Sequence, residues 1–327
     1  MTKLIIQIPC YNEEGTLAAT LADLPRSLPG VDEIERLVID DGSTDDTVRV
    51  ARDNRVEHIV ELPHNQGLAK AFMAGLEACL RAGADIIVNT DADNQYCADD
   101  IGKLIGPILA HEAEIVIGAR PIDRIEHFSW IKKRLQKTGS WVVRIVSGTD
   151  VPDAPSGFRA ISREAAIQLN VFNTHTYTLE TIIQAGQHHI PIAWVPVRVN
   201  EELRPSRLIR NVFGYVAESV AVILRIFMLY RPLRFFMILG SIPFGLGVLL
   251  GFRWLTLVYL FPEPGRTYLP SLILVAILLI MGFQTWLFGL AAELIAANRK
   301  LLEEIRLRQR RRELQAQGEA GEDSGDG

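Results

Sequence analysis

The chain has 327 residues, 48 % of them hydrophobic, and its 34 Lys and Arg and 39 Asp and Glu give a net charge of −5. This composition excludes a disordered chain, a collagen-like repeat and a small disulfide-linked scaffold. It also argues against nucleic acid as a partner, because no excess of basic residues is available to neutralise phosphates. The charge is uneven along the chain: residues 1–203 hold 19 basic and 29 acidic side chains, whereas residues 204–234 hold six Arg and one Glu.

Short β-rich runs alternate with helical stretches over the first third of the chain. The predicted strands are Leu4–Ile8, Arg36–Asp40, His58–Leu62, Asp85–Asn89 and Glu114–Gly118. The helices predicted between them are Glu14–Leu24, Thr44–Asn54, Leu68–Ala82 and Ala98–Ala110. This alternation is typical of the α/β class with a largely parallel, doubly wound sheet. Such sheets bind their ligands beyond the carboxyl ends of the strands.

Acidic and turn-forming residues follow the predicted strands, in segments 9–14, 40–46, 65–67 and 91–95. Helix capping needs one side-chain oxygen per helix, and these loops offer several. Carboxylates gathered at one edge of a sheet repel one another unless a cation or a donor-rich ligand lies among them. The pattern therefore indicates a ligand site at this edge.

A D-x-D pair, Asp91 and Asp93, is followed by Gln95, and the three residues offer hard oxygen ligands for Mg²⁺ or Mn²⁺ bridging a diphosphate. A D-x-D alone is a weak signal, but here it follows one predicted strand while Asp40 and Asp41 end a neighbouring one. No G-x-G-x-x-G follows the first strand and no P-loop motif occurs, so dinucleotide and P-loop sites lose their usual support.

Six stretches, in the right order and over roughly half of the chain, resemble the motifs of family 2 glycosyltransferases of the GT-A fold. They are IPCYNEE (8–14), VIDDGSTDDT (38–47), HNQGLAKA (64–71), DADNQY (91–96), IGAR (117–120) and DAPSGFR (153–159). Within that family the chain resembles the polyprenyl-phosphate glycosyltransferases, typified by dolichyl-phosphate mannose synthase. The resemblance implies a GT-A domain that takes a nucleotide-sugar donor and a polyprenyl-phosphate acceptor and inverts the anomeric carbon.

The resemblance also implies residue roles. The nucleotide-sugar-binding residues would be Pro9, Tyr11, Glu13, Asp41, Asp91, Ala92, Asp93 and Arg207. Within this set, Asp41 would accept a hydrogen bond from the base. The metal ligands would be Asp91, Asp93 and Gln95, and the catalytic residues Asp93, Arg120 and Arg134. Arg120 would contact the donor or acceptor phosphate and Arg134 the acceptor phosphate, while residues 156–159 would form the floor near the sugar. A structural ion pair is the competing interpretation for Arg134 and Arg159.

One stretch departs from the family pattern. The catalytic domain of the family often ends with R-x-x-G-x-S-K, whose basic groups bind phosphates, whereas residues 201–207 here read EELRPSR. Ser206 and Arg207 match the final pair, but Glu201 replaces the first Arg and Arg204 replaces the Gly. We expect Arg204 and Arg207 to share the phosphate contacts.

The acceptor can be argued from its charge. A polyprenyl phosphate is already an anion at neutral pH and can attack without a general base, whereas a glycolipid or glycan hydroxyl needs a carboxylate to take its proton. Processive polysaccharide synthases carry a Q-x-x-R-W motif that this chain lacks, which favours a single transfer to a lipid phosphate. Two alternatives stay open: transfer to a hydroxyl, and an inactive anchor that recruits partner glycosyltransferases.

Two uncharged apolar runs, Phe235–Phe252 and Leu269–Ala292, are each long enough to cross a bilayer. Arg residues flank the outer ends of this hairpin, so the positive-inside bias predicts that the catalytic domain and both termini are cytoplasmic. No cleavable signal is predicted at the start. The apolar stretch Asn211–Tyr230, with Arg residues around it, predicts a helix lying along the membrane surface, or alternatively a packing helix at an oligomer contact.

The predicted organisation has four parts: a glycosyltransferase domain (1–203), a basic juxtamembrane region (204–234), a two-helix transmembrane hairpin (235–292) and a C-terminal region (293–327). The last part is expected to be a charged helix followed by a disordered acidic tail from Gly318. The membrane is thus a predicted partner, and a homo-oligomer is possible. Gly247 and Gly251 form a G-x-x-x-G, which predicts packing either within the hairpin or against a neighbouring chain.

Overall fold

The computed structural model describes residues 1–121, 130–171, 177–200, 224–225, 227–260 and 268–323. The chain divides into two compact units, one made of residues 1–216 and 306–327 and the other of residues 217–305. The first unit contains a single sheet with helices around it. The second contains one long apolar helix and most of another.

Seven strands form the sheet of the first unit, in the order β3-β2-β1-β4-β6-β5-β7. Their bounds are β1 (Lys3–Cys10), β2 (Glu33–Asp40), β3 (His58–Glu61), β4 (Ile86–Asn89), β5 (Ile115–Ala119), β6 (Arg159–Ser162) and β7 (Ile192–Pro196). All five predicted strands are present, and their starts and ends lie within a few residues of the prediction. The predicted α/β class with a mostly parallel sheet is therefore confirmed.

The sheet departs from a fully parallel arrangement at one strand, β6. It lies between β4 and β5 and is antiparallel to both, with Ala160 opposite Val88 on one side and Val116 on the other. The β1–β2, β1–β4, β2–β3 and β5–β7 pairs are all parallel. The strands β6 and β7 were not among the predicted elements.

Nine helices are described. Their bounds are α1 (Leu17–Asp23), α2 (Thr47–Asp53), α3 (Leu68–Arg81), α4 (Ile101–Leu109), α5 (Trp130–Ser147), α6 (Arg163–Gln168), α7 (Thr178–Gln187), α8 (Pro232–Tyr259) and α9 (Leu269–Asp323). A short 3₁₀ turn, Ala98–Asp100, leads into α4. The central strands are rich in Ile and Val and are buried, which is the pattern expected of strands covered by helices.

The strand order positions the loops that follow β1, β2 and β4. Since β2 and β4 are the two parallel neighbours of β1, the ends of all three strands lie at the same edge of the sheet. Adjacent strands are about 5 Å apart, so the ends of β2 and β4 are about 10 Å apart. The D-x-D segment and Asp41 therefore share one edge.

The second unit is built on α8 and the first part of α9. Both helices are long and apolar enough to cross a membrane: Pro232–Tyr259 has a mean hydropathy of 2.1 and Leu269–Arg299 one of 2.2. The helices approach closely at glycines, since a Cβ on Gly282 would lie 2.7 Å from the carbonyl oxygen of Gly240. A Cβ on Gly247 would lie 3.1 Å from Leu279, so the G-x-x-x-G residue packs within the hairpin.

The C-terminal part of α9 differs from the expected tail. The helix continues to Asp323, so residues 318–323, for which the sequence predicts disorder, are helical in the structure. Residues 313–320 (ELQAQGEA) are rich in Glu, Gln and Ala, which favour helix. Most of the predicted interfacial helix Asn211–Tyr230 lies outside the described residues, within which residues 224–225 and 227–230 are helical.

Candidate active site

The loops after β1 and β2 are joined to each other by side-chain hydrogen bonds. The Asn12 amide donates to Oγ of Ser43 at 2.9 Å, and the Thr44 amide donates to Oδ1 of Asn12 at 2.8 Å. Asn12 has a φ of 55°, a conformation that Asn adopts more readily than most residues. This turn leaves the Tyr11 side chain exposed, while Pro9 remains buried at the end of β1.

Glu13 also links the segment after β1 to the segment after β2. Its amide donates to Oγ1 of Thr47 at 2.8 Å, and its Oε2 accepts from Oγ1 of Thr16 at 2.8 Å. The predicted nucleotide-pocket residues thus lie at the carboxyl edge of the sheet, with Pro9 at the end of β1 and Tyr11 and Glu13 in the turn that follows it. Their contact with a nucleotide stays a prediction.

The Asp41 side chain is buried and faces the loop before α3. Its Oδ1 accepts from the Gln66 amide at 2.7 Å and its Oδ2 from the Gly67 amide at 2.9 Å. The neighbouring Gly42 has a φ of 70°, and a Cβ there would lie 2.6 Å from the His64 carbonyl carbon. Asp41 therefore holds the β3–α3 loop in place, and only its remaining lone pairs are available to a base.

The D-x-D segment begins two residues after β4. Nε2 of Gln95 donates to Oδ2 of Asp91 at 2.8 Å, and the Gln95 amide donates to Oδ1 of Asp93 at 3.2 Å. A Cβ on Gly157 would lie 2.9 Å from Oδ1 of Asp91, so the absence of a side chain there gives the carboxylate its room. Ala92 is buried between the two acids, and its carbonyl accepts from Thr20.

The electrostatics of this segment favour a bound cation. Burial and, after it, the negative charge of Asp93 together raise the pKa of Asp91 to about 6, against the hydrogen bond from Gln95 and the charges of Arg120 and Arg159. Two adjacent carboxylates that disfavour each other's charge are a donor set that a divalent cation stabilises.

The donor set fits Mg²⁺ or Mn²⁺ in one particular way. Among the described residues, no three His, Cys, Asp or Glu side chains are grouped closely enough to hold a metal by themselves. Mg²⁺ is usually bound by one or two carboxylates together with substrate phosphates and waters. The residues present fit a cation held by Asp91 and Asp93 and completed by a diphosphate. Gln95 uses its NH₂ group on Asp91, which leaves its Oε1 as the atom that could bind a metal.

Arg120 is engaged by a neighbouring acid. Its Nε and Nη2 donate to the two carboxylate oxygens of Asp153, at 2.7 and 3.0 Å, and its guanidinium lies 6.0 Å from the Tyr96 ring centroid. These two hydrogen bonds use two of the five N–H groups of the guanidinium. The Arg120 side chain is only 10 % exposed. The described contact is with Asp153, while the predicted contact with phosphate stays a prediction.

Arg159 is fully buried below the same edge. It donates to the Ser156 carbonyl and to Thr181, and its guanidinium lies 5.1 Å from the Tyr177 ring centroid. Tyr177 in turn accepts a hydrogen bond from Asn89 at 2.8 Å. The partners named here are a carbonyl, a hydroxyl and an aromatic ring, and both sequence interpretations of Arg159, an ion pair and a floor near the sugar, stay predictions.

Two predicted site residues cannot be placed. Arg134 lies in α5, but its side chain is outside what the structure describes, and Arg207, with Arg204, lies outside the described residues. Asn89 and Asn200 were not among the predicted site residues, and Asp153, which begins the DAPSGFR stretch, was given no role. Asn89 could have been found as a polar residue ending the apolar run IIVN.

The geometry defines an α/β domain with a D-x-D pair at the carboxyl edge of its sheet, as in GT-A glycosyltransferases. The family model for "Glycosyl transferase family 2" matches residues 5–169, about half of the chain. The chain belongs to glycosyl transferase family 2.

Curated relatives match over most of their length. Polyprenol monophosphomannose synthase of Mycolicibacterium smegmatis is 28 % identical over 233 residues, 66 % of this chain and 86 % of that protein. UDP-N-acetylglucosamine–dolichyl-phosphate N-acetylglucosaminyltransferase of Methanococcus voltae is 30 % identical, over 58 % of this chain and 83 % of that protein. Undecaprenyl-phosphate mannosyltransferase of Micrococcus luteus is 28 % identical, over 67 % and 92 % respectively. The relatives thus include transferases to polyprenyl phosphates.

The fold is also that of solved glycosyltransferase structures. Glucosyl-3-phosphoglycerate synthase of Mycobacterium tuberculosis, in complex with phosphoglyceric acid, has a TM-score of 0.54 and 23 % identity over 69 % of this chain and 79 % of that one. The same protein in complex with Mg²⁺ and uridine diphosphate has a TM-score of 0.51 and 22 % identity, over 69 % and 78 %. At this identity the likeness establishes the GT-A fold.

Proposed function

We propose that this family 2 glycosyltransferase moves one sugar from a UDP- or GDP-sugar to a polyprenyl phosphate, with inversion, at the cytoplasmic face of a membrane. The observation that carries the proposal is the pair Asp91 and Asp93 at the carboxyl edge of the sheet, with Gln95 hydrogen-bonded to Asp91. The names of three relatives, which transfer sugars to polyprenyl or dolichyl phosphates, support the acceptor class.

The chain's own residues have distinct roles in this proposal. Asp91 and Asp93 hold a Mg²⁺ or Mn²⁺ ion, which supplies positive charge to the diphosphate of the donor. Gln95 orients the Asp91 carboxylate, and Arg120 adds positive charge near the same edge while Asp153 fixes its orientation. Pro9, Tyr11, Glu13 and Asp41 bind the nucleotide.

The acceptor side of the proposal rests on charge and on the apolar helices. A lipid phosphate is anionic, so its oxygen attacks the anomeric carbon without a general base while the nucleoside diphosphate leaves with the electrons of the broken C–O bond. Arg134 is the proposed contact of the acceptor phosphate, and Arg207 is proposed to contact the donor. The two apolar helices α8 and α9 anchor the enzyme in the membrane. The Arg residues that flank the hairpin support a topology with both termini in the cytoplasm.

The experiment compares sugar transfer by the wild type and two Asp variants of the full chain in detergent. Asp93→Ala should abolish transfer of radiolabelled sugar from UDP- and GDP-sugars to a polyprenyl phosphate and leave membrane insertion intact. The control is Asp53→Ala, because Asp53 is an exposed aspartate at the end of α2. This variant should retain wild-type activity. Transfer by Asp93→Ala in the presence of a chelator would refute the metal site.

A second arm of the experiment tests the acceptor. The wild type is given a polyprenyl phosphate, the same lipid without its phosphate, or a glycolipid, and the product lipid is identified by mass spectrometry. Product from the phosphate lipid alone supports the proposal, whereas product from a hydroxyl acceptor alone would replace it. Donor hydrolysis without any transfer would also contradict it.

A further inference from the structure

One residue far along the chain, Asn200, binds three consecutive carbonyl groups of the D-x-D segment. Its backbone amide donates to the Gln95 carbonyl at 2.9 Å. Its Nδ2 donates to the Asn94 carbonyl at 3.0 Å and to the Tyr96 carbonyl at 3.2 Å. The side-chain NH₂ group has two hydrogens, so every N–H of Asn200 is directed to residues 94–96.

The residues before Asn200 bind the same segment from the same side. The Arg198 carbonyl accepts from the Cys97 amide at 3.3 Å, and Val199 pairs with Tyr96 as an isolated antiparallel bridge. The Arg198 amide donates to Oδ2 of Asp100 at 2.7 Å, and its guanidinium donates to both oxygens of that buried carboxylate. Residues 198–200 thus run along the whole stretch from residue 94 to residue 100.

The D-x-D segment needs this support because it lies outside the strands of the sheet and is not held by their backbone hydrogen bonds. It follows the end of β4, and Asn94 has a φ of 56°, so the chain turns sharply between Asp93 and Gln95. An unpaired carbonyl in a partly buried turn costs free energy, and an unsupported turn has many conformations open to it. Without Asn200, three successive carbonyls would lose their described donors.

We infer that Asn200 is a positioning residue of the donor site, which holds the backbone of residues 94–96 so that Gln95 and the two acids keep their places. The inference rests on the proposed function for the role of those acids. The link to the ligands is short: the Gln95 amide donates to Asp93 and its side chain donates to Asp91. Asn200 touches neither the metal nor the donor in this account, so its effect passes through the backbone of Gln95.

The chemistry of the side chain makes the inference specific to Asn. Aspartate has the same shape but offers no hydrogen, and its carboxylate would face the carbonyl oxygens of Asn94 and Tyr96. Asn200→Asp therefore replaces two attractive contacts by repulsive ones. Asn200→Ser keeps a single donor and tests the same point with a smaller perturbation.

The experiment measures the D-x-D segment directly in the full chain in detergent. Amide hydrogen exchange of peptides covering residues 91–97, without metal, is compared for the wild type, Asn200→Asp, Asn200→Ser and the control Asn54→Ala. The Asn54 side chain donates to the Val50 carbonyl at 2.8 Å at the end of α2, away from residues 91–97. We expect faster exchange of residues 91–97 in both Asn200 variants and wild-type exchange of that segment in the control.

A second readout is the dissociation constant of Mn²⁺ in the presence of UDP or GDP, whichever supports binding to the wild type, from the electron paramagnetic resonance signal of the free ion. Outer residues that orient metal ligands typically change the affinity by about 10- to 100-fold. We expect a weakening of about 10-fold for Asn200→Ser and more for Asn200→Asp, with wild-type affinity for Asn54→Ala.

The outcomes separate this inference from the proposed function. Wild-type exchange and wild-type Mn²⁺ affinity in both Asn200 variants would overturn the inference and leave the metal site standing. Failure of the wild-type protein to bind Mn²⁺ with either UDP or GDP would overturn the proposed function and with it the role assigned to Asn200. If Asn200→Asp does not fold, Asn200→Ser alone tests the inference: faster exchange of residues 91–97 and weaker Mn²⁺ binding support it, and wild-type values overturn it.

Discussion

Arg120 and Asp153 form a two-point ion pair beneath the edge of the sheet where the D-x-D segment lies, with Nε–Oδ2 and Nη2–Oδ1 distances of 2.7 and 3.0 Å. Arg120 directly follows β5, and Asp153 lies in the loop before β6. The pair therefore holds these two segments together next to Asp91. Asp153 is 1 % exposed and its partner 10 % exposed, which makes the pair one of buried charges. The contribution of the pair to the stability of the fold therefore depends on both partners being present.

Asp153→Asn should destabilise the protein markedly. The variant keeps the shape of the side chain but removes the carboxylate that pairs with the buried Arg120 charge, which costs about 3 kcal/mol or more. Asp150→Asn is the matched control, because Asp150 is 91 % exposed and lies 3.5 Å from Arg144, and its loss should change stability by less than about 0.5 kcal/mol. Chemical unfolding of the two variants measures the difference, and equal stabilities would contradict the assigned role of the pair.

The stability of the first unit should fall in acid through Asp100. Burial alone would raise the pKa of this carboxyl, but the hydrogen bonds from Arg198 and Lys103 outweigh it and lower the pKa to about 2. A carboxyl whose pKa is lowered by folding stabilises the folded state above its ordinary pKa of about 3.8, and that contribution is lost as the pH falls toward 2.

The size of the Asp100 contribution to stability follows from its pKa shift. We reduce this contribution because Arg198, its ion-pair partner, is more than half exposed to solvent. We expect the wild type to be more stable than Asp100→Asn by about 1–2 kcal/mol at pH 6, and the difference to shrink between pH 4 and pH 2.5. Denaturant titrations of both proteins across this range provide the test. A difference that grows as the pH falls would show that the sign of the shift is wrong.

The sequence predicts the position of the site better than its internal contacts. Parallel strands share an edge, so the residues after β1, β2 and β4 could be assigned to one side of the sheet from their place in the chain alone. The order of the sheet could not be predicted in full, because β6 is a four-residue strand that pairs with β4, 70 to 76 positions earlier, and with β5, 42 to 46 positions earlier. Its first residue, Arg159, is charged, which argues against a buried strand until its partners are known.

Side-chain direction is the part that the sequence does not determine. Asp41 and Asp91 both follow strands, yet the Asp41 carboxylate faces the amides of Gln66 and Gly67, whereas Asp91 faces Gln95 and Gly157. These directions depend on loop backbones, and the loops are held by residues as remote as Asn200. A contact between residues 95 and 200 leaves no periodic signal in one sequence.

Gln95→Leu should weaken the binding of Mn²⁺ with UDP by about 10- to 100-fold. The substitution removes the hydrogen bond that orients Asp91 and the one side-chain oxygen that could complete the metal site. Gln168→Leu, on α6, removes contacts to Glu164 within the helix and serves as the control. Isothermal titration with Mn²⁺ in the presence of UDP checks the expectation, and unchanged affinity in Gln95→Leu would exclude a role for Gln95 at the metal.

Gly282→Ala should disrupt the apolar hairpin, whereas Gly245→Ala should not. A Cβ on Gly282 would lie 2.6 Å from the Phe244 Cβ and 2.7 Å from the Gly240 carbonyl oxygen, so the two helices would have to separate. A Cβ on Gly245, in the same hairpin, would meet nothing within 4 Å. Separation also weakens the hydrogen bond from Trp286 Nε1 to the Met237 carbonyl, 3.1 Å long in the structure.

The cost of such overpacking is typically about 1–3 kcal/mol, and lipid provides no hydrophobic force to restore the contact. The measurement is the midpoint of thermal aggregation of each variant in detergent, followed by size-exclusion chromatography. We expect a lower midpoint for Gly282→Ala and an unchanged one for Gly245→Ala, since alanine favours helix over glycine where space allows. Equal midpoints for the two variants would mean that the close approach of α8 and α9 at Gly240 and Gly282 does not stabilise the hairpin.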